Sequence, residues 1–386
     1  MAKIELIGIA KRFGKLSALS NINLEIKDKE FFVLFGPAGA GKTTILNNVA
    51  GIQIPEEGVI KFDGKIVNKI DPAHRNVAMV FENYALYPNL TVYDNIASPL
   101  RSPLYKQDES TIKKEVWRVA ALIKIDKLLD RLPSQLSNGQ RQRVAIGRAL
   151  VRTPNVFLMD EPLAHLDAKL RNFMRSELKE MQSSFNTTTI YVTHDYMEAM
   201  SLGDRIAIIK EGCIIQIGTS HEVYDSPRNE FVAQLVGEPE INIISGTLVK
   251  KDGASFVQLM DTQTLIPLAG DEKLENAICE CGTTQLHLGF RPQSIKYRFD
   301  KAEGYTRGTV YSFESIGNKA VLIVHYNDAL VRMIAPNDLK FKLDQDVYIH
   351  FPFENALFFN AQTTEYIGRP GEKVIYKLAQ EQRKEA

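Results

Sequence analysis

Hydrophobic and polar positions divide the chain into two regimes. In the first, short uninterrupted apolar runs alternate with stretches of helical periodicity. FFVLF at 31–35 is continuous in the way of a strand buried on both faces. VAMVF at 77–81, VFLM at 156–159, TIYVT at 189–193 and IAIIK at 206–210 read the same way. Residues 3–9 alternate apolar and polar as a half-buried strand does, and LSALSNINLEI at 16–26 is a further strand. Asp63-Gly64, between Val59–Phe62 and Lys65–Val67, predicts a tight hairpin, because such turns need positive φ. Helical patterns fill most of the gaps; one places Ile45, Leu46 and Val49 on a single side. This alternation predicts a mostly parallel sheet with helices on both faces. Residues about 90–150 break the rhythm: they read as nearly all helical, a subdomain inserted into the sheet.

The second regime starts near residue 236. Short strands with turn signals replace the helices; Lys319–Tyr326 and Ala329–Ile334, for example, flank Asn327-Asp328. Such a pattern predicts a small barrel or sandwich. The expected organisation is an α/β domain over 1–235 and a smaller β-rich domain over 236–386, bridged by a segment with breaks at Pro227 and Pro239.

Charge narrows the function classes. Lys+Arg and Asp+Glu both total 47, so bulk attraction to nucleic acid or an anionic membrane is not expected. Cys213, Cys279 and Cys281 match no metal or redox spacing and read as reduced thiols. The N-terminus has no apolar core followed by a cleavage site, and no stretch has the roughly 18 uninterrupted apolar residues of a membrane span.

The chemistry is concentrated where apolar runs end. GPAGAGKTT, comprising Gly36, Pro37, Ala38, Gly39, Ala40, Gly41, Lys42, Thr43 and Thr44, fits G-x-x-x-x-G-K-[ST] between a buried strand and a helix. Its glycines let backbone N–H groups wrap phosphate, and Lys42 adds a charge able to reach the β- and γ-phosphates. Thr43 is placed to ligate Mg²⁺, and the helix beginning after Lys42 turns its positive end to the same anion. VFLMDEP ends in Asp160, able to hold Mg²⁺ through water, and Glu161, able to act as general base on the attacking water. His194 comes after a strand whose C-terminal end opens at the edge where such sheets bind ligands. LSNGQ precedes a helix from about Gln140, with Ser137 as its cap; its exposed N–H groups and dipole make an anion site. A chain with one complete phosphate loop has no use for a second in the same pocket, so the target of LSNGQ is the nucleotide of another subunit.

Taken together, in order and spacing, these motifs resemble the ATP-binding-cassette (ABC) ATPases over residues 1 to about 240. The resemblance implies an adenine-stacking role for Phe13, a nucleotide contact by Ser137, Asn138, Gly139 and Gln140, and a switch role for His194. LAHLDA is similar to the family's loop after the magnesium strand. Glu82 stands where the family carries a glutamine that contacts Mg²⁺ and nucleotide, and Asn138 where it carries glycine. If position 138 needs left-handed angles, asparagine tolerates them better than most residues. Tyr84, Leu86 and Tyr87 lie in a loop that meets a transmembrane coupling helix in the family. The C-terminal stretches LGFRPQSI and FENALFF resemble the ATPase subunits of maltose-type sugar and glycerol-phosphate importers. Membership of such a family would bring a P-loop domain with an OB-like regulatory domain, ATP and Mg²⁺, and two chains closing head to tail. It would also bring two permease partners, an extracytoplasmic solute-binding protein, and a peripheral place on the cytoplasmic face of the membrane. The two departures carry an alternative: a mainly regulatory, degenerate ATP-binding partner in a heterodimeric pair.

Overall fold

The computed structural model describes residues 2–372, apart from Thr153, His165, Asn186, Gly253, 260–264, 269–270 and Asn318. The chain divides into two units, Met1–Ser220 and His221–Ala386.

In the first unit the strands are β1 (Ile4–Phe13), β2 (Leu16–Ile26), β3 (Phe31–Phe35), β4 (Glu57–Phe62), β5 (Lys65–Ile66), β6 (Val77–Val80), β7 (Val156–Asp160), β8 (Thr188–Thr193), β9 (Arg205–Lys210) and β10 (Cys213–Gly218). They form an antiparallel sheet ordered β2-β1-β4-β5 and a six-stranded sheet ordered β10-β9-β3-β8-β7-β6. The four pairings among β9, β3, β8, β7 and β6 are parallel. Strands β3, β7 and β8 are buried at every residue, which is why their sequences are dominated by apolar residues, with Asp160 and the threonines of β8 as buried polar exceptions. Each buried Phe, Leu or Ile of this layer contributes about 1.5–3 kcal/mol of burial free energy. The Asp63-Gly64 hairpin forms as the sequence requires, with φ 48° and 75° and Phe62 paired with Lys65.

The helices of this unit are α1 (Lys42–Ala50), α2 (Val92–Arg101), α3 (Glu109–Leu122), α4 (Asn138–Leu150), α5 (Ala168–Phe185) and α6 (Tyr196–Leu202). Ile45, Leu46 and Val49 of α1 pack on Leu34, Leu158, Ile190 and Val192, fixing α1 at the C-terminal end of β3. Strand β10, antiparallel to β9 at the sheet edge, was not legible in the sequence. No helix among the described residues is long and apolar enough to cross a membrane.

The second unit holds antiparallel sheets of six and five strands over one shared core that includes Leu288, Phe290, Val324, Tyr326, Ile349 and Phe358. One helix, Glu272–Glu280, also buries Leu274, Ala277 and Ile278 there, so the region is not purely strands. The division falls at Ser220, fifteen residues before the expected boundary at 235. The physical reason is Arg291, whose guanidinium donates to the carbonyls of Tyr224 (2.9 Å), Ala233 (2.8 Å) and Val236 and thereby ties the bridging helices α7 (Ser220–Asp225) and α8 (Glu230–Leu235) to the β unit. All three cysteines are free thiols.

Candidate functional site

Parallel register brings the chemistry to one edge. Phe35 pairs with Thr193 and Asp160 with Val192, so the residues just beyond β3, β7 and β8 emerge side by side. These are the phosphate loop, Glu161 and His194.

The loop from Gly36 to Gly41 has backbone that only glycine permits. A Cβ on Gly36 would lie 2.2 Å from the Ile209 carbonyl oxygen of β9. Gly41 caps α1 at φ 102°, a left-handed angle costly for residues with a side chain. Pro37, Ala38 and Gly39 form an exposed crest, while Gly36, Ala40 and Lys42 are buried. The Lys42 side chain is only 4% exposed. Its ammonium donates to the carbonyls of Gly36 (3.0 Å) and Pro37 (2.9 Å) and lies 3.6 Å from Glu161 Oε1. Burial pushes this amine down, against the opposing charges of Glu161 and Asp160.

Thr43 Oγ1 donates to Asp160 Oδ1 at 3.0 Å, so a hydroxyl and a carboxylate oxygen already share one point. Burial raises the Asp160 carboxyl; the Thr43 hydroxyl opposes that, and the charges of Glu161 and Glu82 raise it further. The charge of Glu82, exposed just beyond β6, therefore reaches the same spot. No cluster of three His, Cys, Asp or Glu among the described residues could hold a metal unaided. Hard oxygen donors in small number suit Mg²⁺, which is bound through one or two carboxylates and completes its shell with hydroxyl and phosphate oxygens and water. Thr43, Asp160 and Glu82 fit that cation.

Glu161 has φ 44°, unusual for a residue with a side chain, and such strain concentrates at functional sites. Its Oε2 is 2.7 Å from His194 Nδ1. The His194 side chain is 55% exposed, with a carboxylate at one ring nitrogen. Phe13, exposed at the tip of the β1–β2 hairpin, has the Lys11 ammonium 5.5 Å from its ring centroid. The same hairpin carries Ala18, whose carbonyl would meet a Cβ on Gly41 at 2.7 Å, and so runs beside the phosphate loop.

The LSNGQ turn is built independently. Ser137 caps α4: its hydroxyl accepts from Gln140 N at 3.4 Å, and Gln140 Oε1 accepts from Ser137 N at 3.0 Å. This reciprocal box starts the helix at Asn138, two residues before the expected Gln140. Asn138 is thus a first-turn helical residue, absent from the positive-φ positions, and left-handed angles are not required there. Gly139 is buried, and a Cβ would press on Leu170 of α5 at 3.2 Å.

Tyr84 is 7% exposed and does not present a docking surface, whereas Tyr87 is 52% exposed. Tyr84 and Ala85 both have positive φ, 63° and 44°. Arg148 of α4 holds this turn by donating to the carbonyls of Ala85 (2.7 Å) and Tyr84 (3.0 Å).

Sequence reasoning missed a second layer. Asp195 caps α6, accepting from Met197 N and Glu198 N, and pairs with Arg171 at 3.3 Å. Glu198 is buried and accepts from Tyr191 (2.9 Å) and Thr193 (2.7 Å). An Asp with Glu three residues later signals a helix start, but nothing local in sequence pairs Asp195 with Arg171. His165 of LAHLDA lies outside the described residues.

Residues 19–164 match the ABC transporter family. The trehalose/maltose import ATP-binding protein MalK of Thermococcus litoralis is 50% identical over 259 residues, 66% of this chain and 69% of that protein. The sn-glycerol-3-phosphate import ATP-binding protein UgpC of Bartonella bacilliformis is 38% identical over 365 residues, 94% of this chain and 99% of its own. Among solved structures, an ATP-binding cassette in a dimeric post-hydrolysis state with ADP and Pi is 31% identical, covers 56% of this chain and 98% of its own, and superposes with a TM-score of 0.51.

Proposed function

This chain belongs to the ABC transporter family as an ATP-binding, ATP-hydrolysing subunit, and on that premise we propose that it energises an importer of a sugar, oligosaccharide, polyol or glycerol-phosphate-type solute. The observation that carries the catalytic reading is the meeting of Lys42, Asp160, Glu161 and His194 at one sheet edge.

In this reading the Gly36–Gly41 amides and the start of α1 cradle the phosphates. Lys42 exchanges its loop carbonyls for phosphate oxygens, and Phe13 stacks on adenine. Thr43, Asp160 and Glu82 would hold Mg²⁺, which when bound would neutralise charge on the phosphates. Glu161 takes the proton of the attacking water as general base. His194, oriented by Glu161 through Nδ1, directs Nε2 to the γ-phosphate.

Ser137, Asn138, Gly139 and Gln140 face the nucleotide of a second ATPase subunit, identical or different. ATP contacts made only in the closed pair favour closure, and hydrolysis removes them. The pair sits at the cytoplasmic face of the membrane beneath two permease subunits, and a solute-binding protein delivers cargo from the other side. Nucleic acid has no part in it. Asn138 and Glu82 favour a second reading, a heterodimer in which this chain's own phosphate loop hydrolyses well while the site facing Asn138 is slower.

The test is cross-linking in a chain whose three cysteines are replaced. Cysteines at Ala38 and Ser137, with Glu161→Gln to hold ATP, should cross-link between chains when ATP is added and not without it. Cross-linking indifferent to ATP rejects the head-to-tail site. Co-purification of the chain with its permeases and one further ATPase gene product selects the heterodimer; this chain alone with the permeases rejects it. Stimulation of the assembled complex by solute-loaded binding protein, assayed across sugars and polyols, then tests the cargo class.

A further inference from the structure

The contacts behind the Glu161–His194 pair form a continuous strap. On one side the His194 turn is fixed to the sheet. Asp195 N donates to Thr193 Oγ1 (3.0 Å), and that hydroxyl donates to the buried Glu198 carboxylate, which Tyr191 also engages. Asp195 Oδ1 meanwhile caps α6. On the other side is the loop that leaves β7, where Ala164 N donates to the Glu161 carbonyl. Arg171 of α5 spans the two: one guanidinium nitrogen reaches Asp195 Oδ2 at 3.3 Å, another the carbonyls of Leu166 (3.2 Å) and Ala164 (3.4 Å). A gap of about 10 Å³, roughly one water, lies among Glu161, Arg171, His194, Asp195 and Glu198.

We infer that Arg171 and Asp195 are positioning residues for hydrolysis: through the carbonyls of Ala164 and Leu166 they set where Glu161 stands against His194. The inference rests on the catalytic pairing of Glu161 with His194. The ion pair is partly exposed, its side chains at 31% and 22%, and such pairs add little stability. Its effect is therefore geometric. Glu161 already sits at strained angles, and without the strap its loop relaxes and the 2.7 Å contact with His194 opens.

The experiment measures ATP turnover, fluorescent-nucleotide affinity and Tm for Arg171→Met and Asp195→Asn in the full chain. Asparagine retains the α6 cap, so Asp195→Asn decides the matter if Arg171→Met does not fold. Each variant should lose about tenfold in kcat, the scale of sub-ångström misplacement, with KM and nucleotide affinity within about twofold. Arg171→Lys should recover much of the loss, and the double variant should be no slower than the slower single, because both residues act through one contact. Turnover near wild type in Asp195→Asn, or losses that multiply in the double variant, overturns the strap. His194→Ala separates the levels. If it hydrolyses normally, the catalytic pairing itself is wrong. If it is inactive while Asp195→Asn is not, only the strap fails.

Discussion

Replacing Glu161 with glutamine removes a charge and little else. The backbone angle of 44° burdens both side chains equally, and the glutamine oxygen can still accept from His194 at the 2.7 Å separation. Two effects remain. First, water loses its base; positioned bases contribute about 10²–10⁴-fold, or about 2.7–5.5 kcal/mol of barrier. Second, Lys42 loses a competitor of phosphate. At 3.6 Å the Coulomb attraction between Glu161 and Lys42 ranges from about 1 kcal/mol in a water-like medium to about 5 at an effective dielectric of 20. Glu161 is also engaged by His194 and Lys42 keeps the carbonyls of Gly36 and Pro37, so removing one charge releases only the lower end. ATP should therefore bind roughly fivefold more tightly to Glu161→Gln, about 1 kcal/mol, while kcat falls at least a hundredfold. Phosphate release at saturating ATP and equilibrium binding of a fluorescent nucleotide measure the two. Turnover within tenfold of wild type in a folded variant removes Glu161 from the base role. Weakened ATP binding refutes the competition for Lys42.

Asn138→Gly replaces a first-turn helical residue and should cost no more than about 0.5 kcal/mol of stability; in the assembled transporter it should raise ATPase by removing a carboxamide beside the opposing phosphate, and an unchanged rate makes the position neutral. Arg148→Ala strips both donors from the Tyr84–Ala85 turn; it should cost about 1–3 kcal/mol and speed amide exchange over residues 83–87, and unchanged exchange refutes the clip. Burial holds the Glu198 carboxyl above its ordinary 4.5, so the folded chain binds that proton more tightly than the unfolded one. The associated stability is complete below pH 4.5 and lost as pH rises through the raised value; the Tm of Glu198→Gln relative to wild type should climb over that interval, and a flat difference contradicts it.

The site edge was legible because its parts are local. A strand buried on both faces is mostly apolar, so the runs at 31–35, 156–159 and 189–193 announce themselves, and the residue types just after each one carry the chemistry. Strand β10 was not legible: it is an edge strand, only partly buried, with Gln216 interrupting its apolar run. The Glu272–Glu280 helix is short and lies among strand-like segments. The start of α4 depends on a side chain, Gln140, folding back on Ser137 rather than on the apolar period. Arg171 with Asp195, and Arg291 with the α7–α8 bridge, are contacts between distant stretches, and no spacing rule announces them.

The grip of Arg148 on two left-handed residues makes α4 a lever arm. Arg148 lies ten residues beyond Asn138, about 15 Å along the axis at 1.5 Å per residue. One end of the rod holds the Tyr84–Ala85 turn, and the other is squared off by the Ser137–Gln140 box. A tilt imposed at the turn arrives at the tip as sideways travel. In the head-to-tail pair proposed above, the fit of such a tip to its target would then be set from the opposite end of the rod.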